Sequence, residues 1–117
     1  MALTEQAAKS AAAAQSASAT GPVSVVDIGS NSVRLVVFEG LTRNPTTLFN
    51  EKAICAMGRG LVSTGKLDAD GMRMALAALA RFKAVSADLG VPHMEIVATA
   101  AVRDAKNGKE FVARAEA

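Results

Sequence analysis

Short runs of apolar, β-branched residues alternate with turn residues over the first half of the chain. The run VSVVDI at residues 23–28 and the run VRLVVFE at 33–39 flank the small polar sequence GSNS. Two such runs around a Gly/Ser/Asn turn predict a β-hairpin. A second turn at 40–45 and a further apolar run at 46–57 predict a third strand. This half of the chain therefore predicts three consecutive antiparallel strands.

The hydrophobic spacing becomes helical after a glycine-bearing loop at residues 58–66. Asp68 has the side chain of a helix N-cap, and Asp70 adds negative charge to the first turn, where it favours the helix dipole. Gly90 supplies a C-terminal stop, and Pro92 prevents the helix from continuing. The apolar residues expected on one helical face are Met72, Leu76, Leu79, Phe82 and Leu89.

The last quarter of the chain predicts one more strand and one more helix. Residues 93–98 form a short strand, residues 99–106 form a loop or helical turn, and Asn107 caps the final helix. The predicted order is β-β-β-α-β-α, an α/β fold with a mixed sheet. Because the last strand would be left with an unpaired edge, we expect the domain at 22–117 to be incomplete.

Composition limits the class of protein without identifying it. The chain has 117 residues, half of them hydrophobic, a net charge of +2, four Phe and no Tyr or Trp. One domain is expected, and a nucleic-acid partner is not, because neither a one-sided basic surface nor a base-stacking platform is available. Residues 1–21 are rich in Ala and Ser and are expected to be a disordered leader.

The single cysteine and the absence of long apolar stretches bear on location. Cys55 lies in an apolar run, where a small buried side chain is expected rather than a nucleophile. A lone cysteine fits a reducing cytoplasm, and no stretch is long enough to span a bilayer. We therefore expect a cytoplasmic protein with no membrane partner.

The motif that follows the first strand is the strongest candidate for chemistry. Asp27 ends a buried strand, and Gly29 permits close approach of a ligand. The backbone amides of Ser30, Asn31 and Ser32 could form a nest for an anion, while Asp27 could hold Mg²⁺. The alternative is an ordinary hairpin turn in which the Asp27 carboxylate bonds the turn amides.

The loop before the helix imitates a nucleotide-binding P-loop. Residues 60–67, GLVSTGKL, have the glycine and lysine spacing of that motif, but Leu67 stands where a Ser or Thr must bind Mg²⁺. The helix also begins after Leu67, and its acidic first turn would repel a phosphate. We therefore expect no P-loop. Arg59 in the same loop is expected to be a solvated residue.

A second candidate follows the predicted fourth strand. In α/β sheets, ligands gather beyond the carboxyl ends of strands. Thr99 and Arg103 occupy this position, and a guanidinium suits bidentate phosphate recognition. A salt bridge from Arg103 to Asp104 or Glu110 is an equally good interpretation. The sequence contains no nucleophile paired with a base.

These segments, in this order, resemble the exopolyphosphatase and guanosine pentaphosphate phosphatase (Ppx/GppA) family. The resemblance rests on VVDIGSNSVRL at 25–35, on GRGL and TGKL in the loop at 58–67, and on VATAAVRDA at 97–105 followed by Asn107, Gly108 and Phe111. It implies the amino-terminal half-domain of a ribonuclease-H-like fold, as in actin, Hsp70 and sugar kinases. In that half-domain three antiparallel strands are joined by a fourth in parallel.

The resemblance also implies functions for individual residues. Asp27 would lie at the metal centre with Mg²⁺ as cofactor, and the substrate would be polyphosphate or guanosine pentaphosphate. The full-length protein could be a homodimer. The residues implied to bind substrate are Gly29, Ser30, Asn31, Ser32, Thr99 and Arg103.

One departure from the family pattern limits what this chain is expected to do. The family's catalytic glutamate, the general base, is expected beyond Ala117, so no catalytic residue is assigned within the chain. Neither Glu110 nor Glu116 takes that role. The chain alone is expected to bind phosphate and not to hydrolyse it. Two alternatives stay open: a non-catalytic phosphate-binding module, and an actin-like or sugar-kinase-like nucleotide binder.

Overall fold

The computed structural model describes residues 21–40 and 44–117, which contain four strands and four helices in the order β-β-β-α-α-β-α-α, the predicted order with two short helices added. The predicted leader lies outside these ranges except for Gly21, as does part of the turn at 40–45. The strands are β1 (Val23–Ile28), β2 (Ser32–Phe38), β3 (Thr47–Ile54) and β4 (His93–Ala98). The helices are α1 (Leu61–Thr64), α2 (Ala69–Asp88), α3 (Ala100–Asp104) and α4 (Gly108–Glu116).

The strands form one mixed sheet in the order β3-β2-β1-β4. β2 pairs with both β1 and β3 in antiparallel fashion, and β4 joins β1 in parallel. The three-strand antiparallel start is therefore confirmed. β3 is shorter than the predicted run at 46–57, and the loop predicted at 58–66 contains the one-turn helix α1.

The main core lies between one face of the sheet and helices α2 and α4. Alternate residues of β1 and β2 point to this face, as the pairing of Val26 with Leu35 shows. Phe82 of α2 and Phe111 of α4 are fully buried against it. Burying side chains of this size contributes about 1.5–3 kcal/mol each, which is why the apolar alternation determines which face is covered.

Helix α2 begins and ends as its sequence predicts. The Asp68 carboxylate accepts a hydrogen bond of 2.8 Å from the Gly71 amide, and Asp70 forms an ion pair with Arg73. The helix stops before Gly90, whose φ of +71° suits a residue without a side chain.

The buried face of α2 differs from the predicted one. Met72 and Leu76 are only partly buried, and Leu89 is 42% exposed because it follows the last helical residue. At its start the helix packs closely against the residues that follow β3. A Cβ on Gly71 would come within 2.8 Å of the Cys55 carbonyl oxygen, so small residues are buried on this part of the helix. The buried residues of α2 are Gly71, Ala75, Ala78, Leu79, Phe82 and Ser86.

The opposite face of the sheet carries a smaller apolar cluster and then a polar row. Val23 and Val25 of β1 lie beside Phe38 and Val36 of β2, and all four are buried. Asp27 is the next residue on this face of β1, nearer the carboxyl end of the strand. With Arg34 of β2 and Lys52 of β3 it forms the polar row. Within the described ranges, no helix combines the length and apolar character needed to cross a bilayer.

Candidate functional site

Three segments that the sequence analysis singled out meet at one edge of the sheet. β1 and β4 run in parallel and end together, with Ile28 paired to Ala98. We call the turn at residues 29–31 the Ser30 loop, residues 58–67 the Lys66 loop, and residues 99–107 the Arg103 segment. The carboxyl edge of a parallel strand pair is where α/β proteins place ligands, so this edge is the candidate site.

The carbonyl groups of the Ser30 loop are fixed by the start of the Lys66 loop and the residues just before it. The Gly58 amide donates to the Ser30 oxygen at 2.6 Å, and the amides of Cys55 and Ala56 both donate to the Asn31 oxygen at 2.9 Å. This approach favours a glycine at 58, since a Cβ there would lie 3.1 Å from the Ser30 Cβ and would press on it. The Ser30 loop is thus held from one side.

Fixing the Ser30 carbonyl determines where the Asn31 amide points. In a trans peptide the N–H and C=O point in opposite directions, so the Asn31 amide is turned away from Gly58. Within residues 21–40 and 44–117, neither the Ser30 nor the Asn31 amide donates a hydrogen bond, and Asp27 accepts none from the turn. The alternative in which the Asp27 carboxylate serves the turn amides is therefore not what the structure shows.

Asp27 is half-buried beside this loop, and the charged residue paired with it across the hairpin is Arg34. Burial raises the pKa of the Asp27 carboxyl above its ordinary value of 3.8, and the positive charge of Arg34 offsets part of that rise. Arg34 pairs with Asp27 across the hairpin, and its guanidinium donates to the Asn50 side-chain oxygen at 2.7 Å. Lys52 of β3 lies opposite Arg34 in the same row.

The sequence analysis did not single out Arg34, although the signal was present. A two-residue turn at Ser30 and Asn31 pairs Gly29 with Ser32, and the Gly29 amide does donate to the Ser32 oxygen at 2.9 Å. Counting outwards along both strands from this turn pairs Asp27 with Arg34. Hairpin register places both side chains on one face of the sheet.

The donors at this edge fit a magnesium ion that is shared with a phosphate. Magnesium retains several waters and is usually held by one or two carboxylates together with substrate oxygens. Asp27 supplies one carboxylate, and the Ser30 loop that follows it has amides that donate to no group in the described ranges. An all-protein metal cage is a different arrangement, and the described part of the chain contains no group of three or more His, Cys, Asp or Glu side chains placed to form one.

The Lys66 loop uses internally the amides that a P-loop would offer to phosphate. The Thr64 and Gly65 amides donate to the carbonyls of Gly60 and Leu61, at 2.9 and 2.7 Å. The Lys66 amide donates to the Thr64 hydroxyl, and the Leu67 amide donates to a side chain of the Arg103 segment. These bonds, with the cap at Asp68, support the prediction that the loop is not a P-loop.

The Arg103 segment is anchored to the end of β1, but its arginine points elsewhere. The Thr99 amide donates to the Ile28 oxygen at 3.0 Å, and the exposed Thr99 hydroxyl does not cap α3. The Arg103 side chain is exposed and lines an open groove of about 410 Å³ with Asp104, Lys109 and Glu116. In the described ranges neither the salt bridge considered for it nor a hydrogen bond from it to the Ser30 loop is formed.

Asn107 occupies its predicted position before α4 but does not cap it with its side chain. Its carboxamide instead accepts a hydrogen bond of 2.8 Å from the Leu67 amide and donates one of 3.2 Å to the Leu67 oxygen. The sequence predicted that the Asn107 side chain would cap α4. In the structure it bonds instead to the backbone of Leu67, 40 positions earlier.

The two remaining residues considered in the sequence behave as structural or solvated groups. Cys55 is 2% exposed, its thiol lies 3.6 Å from the Ala53 carbonyl, and burial raises its pKa. A buried thiol with a raised pKa is a poor nucleophile. Arg59 is exposed, as predicted.

The fold and the edge together define a class of protein. A mixed sheet with three antiparallel strands and a fourth in parallel, and with a small-residue loop after an aspartate at its edge, is the half-domain of the actin-like, ribonuclease-H-like group. A sequence profile of the Ppx/GppA phosphatase family matches residues 36–117, well over half of the chain. The chain belongs to the Ppx/GppA phosphatase family.

Individual relatives agree with this membership. The chain is 30% identical over 91 residues to exopolyphosphatase 1 of Mycobacterium bovis. The aligned region covers 77% of this chain and 26% of the relative. The same figures hold for exopolyphosphatase 1 of Mycobacterium tuberculosis. The chain thus spans about a quarter of the length of these curated relatives.

Solved structures confirm the fold class. The Ppx/GppA phosphatase of Aquifex aeolicus superimposes with a TM-score of 0.76 at 31% identity, covering 83% of this chain and 32% of that one. An exopolyphosphatase from Cytophaga hutchinsonii gives a TM-score of 0.73 at 28% identity, covering 81% of this chain and 30% of that one. The predicted actin-like half-domain is therefore confirmed.

Proposed function

We propose that this chain binds the terminal phosphates of inorganic polyphosphate or guanosine pentaphosphate, as one part of a phosphohydrolase site. The observation that carries the proposal is that the Ser30 and Asn31 amides donate to no group in the described part of the chain, in a loop that follows the half-buried Asp27 carboxylate. Membership of a phosphatase family supports hydrolysis as the reaction to which this binding contributes.

In this proposal each group has a separate role. The Ser30 and Asn31 amides donate to oxygens of the terminal phosphate, with Gly29 leaving room for the close approach and the Ser32 hydroxyl at the rim. Asp27 would hold Mg²⁺, which would neutralise charge on the phosphate oxygens. Thr99 and Arg103 would meet the next phosphates of the chain, Arg103 after turning from its groove.

Hydrolysis would further require a base that activates water, and we assign none to this chain. The 117-residue chain is therefore proposed to bind phosphate chains without releasing phosphate from them. A cytoplasmic location and a homodimer stay predictions of the sequence.

Titration calorimetry of the 117-residue chain tests this proposal. Tripolyphosphate, guanosine pentaphosphate and ATP are titrated in turn with Mg²⁺, and again with EDTA. We expect saturable binding of one or both of the first two, dependent on Mg²⁺, and no phosphate released in a colorimetric assay. Binding of ATP alone would favour the nucleotide-binder alternative, and binding of none of the three would contradict the proposal.

A further inference from the structure

The three segments at the sheet edge form a closed ring of hydrogen bonds. The Thr99 amide joins the Arg103 segment to the end of β1 at Ile28. The Gly58 amide joins the Lys66 loop to the Ser30 carbonyl. A third junction, between the Lys66 loop and the Arg103 segment, completes the circuit. Each segment is therefore bonded at two places or more, and the Asp68 amide ties the two ends of the Lys66 loop together by donating to the Met57 oxygen at 2.8 Å.

The third junction depends on a side chain. The Asn107 carboxamide presents one acceptor and one donor to the Leu67 backbone, at 2.8 and 3.2 Å, in the way a neighbouring strand would. Its amide nitrogen also lies 3.7 Å from the Met72 sulfur. Beside it the Lys106 amide donates to the Gly65 oxygen at 2.8 Å. The other two junctions are formed by backbone groups alone, so this is the junction that a side-chain substitution can weaken.

We propose that Asn107 is a positioning residue for phosphate binding, which holds the Lys66 loop in place so that Gly58 can fix the Ser30 carbonyl. The inference rests on the proposed function, since it assigns a consequence for phosphate affinity. Without the carboxamide the Lys66 loop keeps only the Lys106 bond to the Arg103 segment. The Asn31 amide would then be held in its direction for only part of the time, and binding would have to restore its orientation.

Asn107→Ala tests the inference when binding of tripolyphosphate with Mg²⁺ is measured by calorimetry. Removing two hydrogen bonds of ordinary strength is expected to weaken binding about threefold to tenfold. Asn107→Asp keeps the acceptor for the Leu67 amide and loses the donor, so it is expected to weaken binding too and serves if the alanine variant does not fold. Thermal melts establish that each variant is folded at the temperature of titration.

Ser86→Ala is the matched control for a loss of stability alone. Ser86 forms a buried 2.7 Å hydrogen bond with Ser24 at the opposite end of β1, outside the ring. This variant is expected to melt at a lower temperature and to bind tripolyphosphate with unchanged affinity. If it lost affinity to the same extent as Asn107→Ala, general destabilisation would explain both results and the inference would be overturned.

Amide hydrogen exchange without ligand provides a readout that is independent of binding. In Asn107→Ala the Gly58 amide is expected to exchange faster, while the Val91 amide, bonded to the Ser86 carbonyl, keeps its rate. Equal acceleration at both amides, or wild-type affinity in a folded Asn107→Ala, would overturn the inference. If the wild-type chain bound no phosphate, the proposed function would fail instead, and the exchange rates alone would decide whether Asn107 holds the ring.

Discussion

The Ser30 loop and the Lys66 loop are both short, rich in small residues and suggestive of phosphate binding in sequence, yet they use their backbones in opposite ways. In the Lys66 loop the amides from Thr64 to Leu67 are all bonded within the protein. In the Ser30 loop the Ser30 and Asn31 carbonyls are bonded, and the amides of the same two residues donate to no group in the described part of the chain. A glycine-rich pattern therefore indicates a phosphate site only when its amides are left available.

The Lys66 loop also supports the Ser30 loop, which is the proposed phosphate site. Gly58 at the start of the Lys66 loop holds the Ser30 carbonyl, so the loop that resembles a P-loop serves to orient the loop that does not. The following substitutions separate these roles, beginning with the largest expected effect.

Asp27→Asn should reduce the affinity for tripolyphosphate in Mg²⁺ by on the order of 100-fold, because it removes the carboxylate proposed to hold the metal. Lys66→Ala is the matched control and should change affinity less than about twofold, since a charge that contacts no ligand contributes little. Calorimetry measures both. A large loss of affinity with Lys66→Ala and no loss with Asp27→Asn would show that the Lys66 loop binds the phosphate and the Ser30 loop does not.

Gly58→Ala should weaken binding about tenfold, because the new Cβ would press on Ser30 at 3.1 Å and displace the loop that carries the amides. Gly60→Ala is its control. Gly60 has a φ of +74° and open space around it, so alanine there should cost about 1 kcal/mol of folding free energy with no loss of affinity. Calorimetry and chemical denaturation distinguish the two, and equal losses of affinity would contradict the support role of Gly58.

Ala56→Gly should raise the free energy of unfolding by about 1 kcal/mol, because Ala56 has a φ of +54° that glycine adopts without strain. Its amide donates to the Asn31 oxygen, so the strain lies in the support of the Ser30 loop. Ala53→Gly within β3 should instead lower stability by about 0.5–1 kcal/mol. Urea denaturation measures both changes, and destabilisation by Ala56→Gly would show that the angle is not a source of strain.

The smallest effect concerns the stability of the ligand-free chain. Because burial raises the pKa of Asp27, its ionised form is less favourable in the folded than in the unfolded chain. The wild type should therefore lose stability relative to Asp27→Asn as the pH rises from 3.8 through the raised pKa. Thermal melts of both proteins at pH 7 and near pH 3.5 should show the asparagine variant more stable at pH 7 and the difference closing in acid. A difference that does not change with pH would contradict this.

The parts of the fold that follow from local pattern could be predicted from sequence. The bounds of β1 and β4, the cap at Asp68 and the stop at Gly90 agree with the structure, because apolar alternation and capping act over a few residues. Helix α1 was missed because one turn carries no periodic signal. The spacing predicts Leu89 on the buried face, but the helix ends at Asp88 and Leu89 no longer follows the helical periodicity.

The candidate site was only partly predictable for a different reason. The Ser30 loop could be recognised from its residues, but the bonds that orient it come from residues 55–58, and Asn107 acts on Leu67 from 40 positions away. Contacts over such separations depend on how strands and helices pack, which local pattern does not contain. Arg34 required the hairpin register, and the direction of the Arg103 side chain required the groove between α3 and α4.

The most direct test of the central claim is a map of backbone amide chemical shifts, recorded by NMR while tripolyphosphate and Mg²⁺ are added to the 117-residue chain. The claim is that the Ser30 loop offers its amides to phosphate and that the Lys66 loop does not. The largest shifts are expected at the Ser30 and Asn31 amides, with the Lys66 and Leu67 amides changing little. Shifts centred on Gly65 to Leu67, with Ser30 and Asn31 unchanged, would contradict the account.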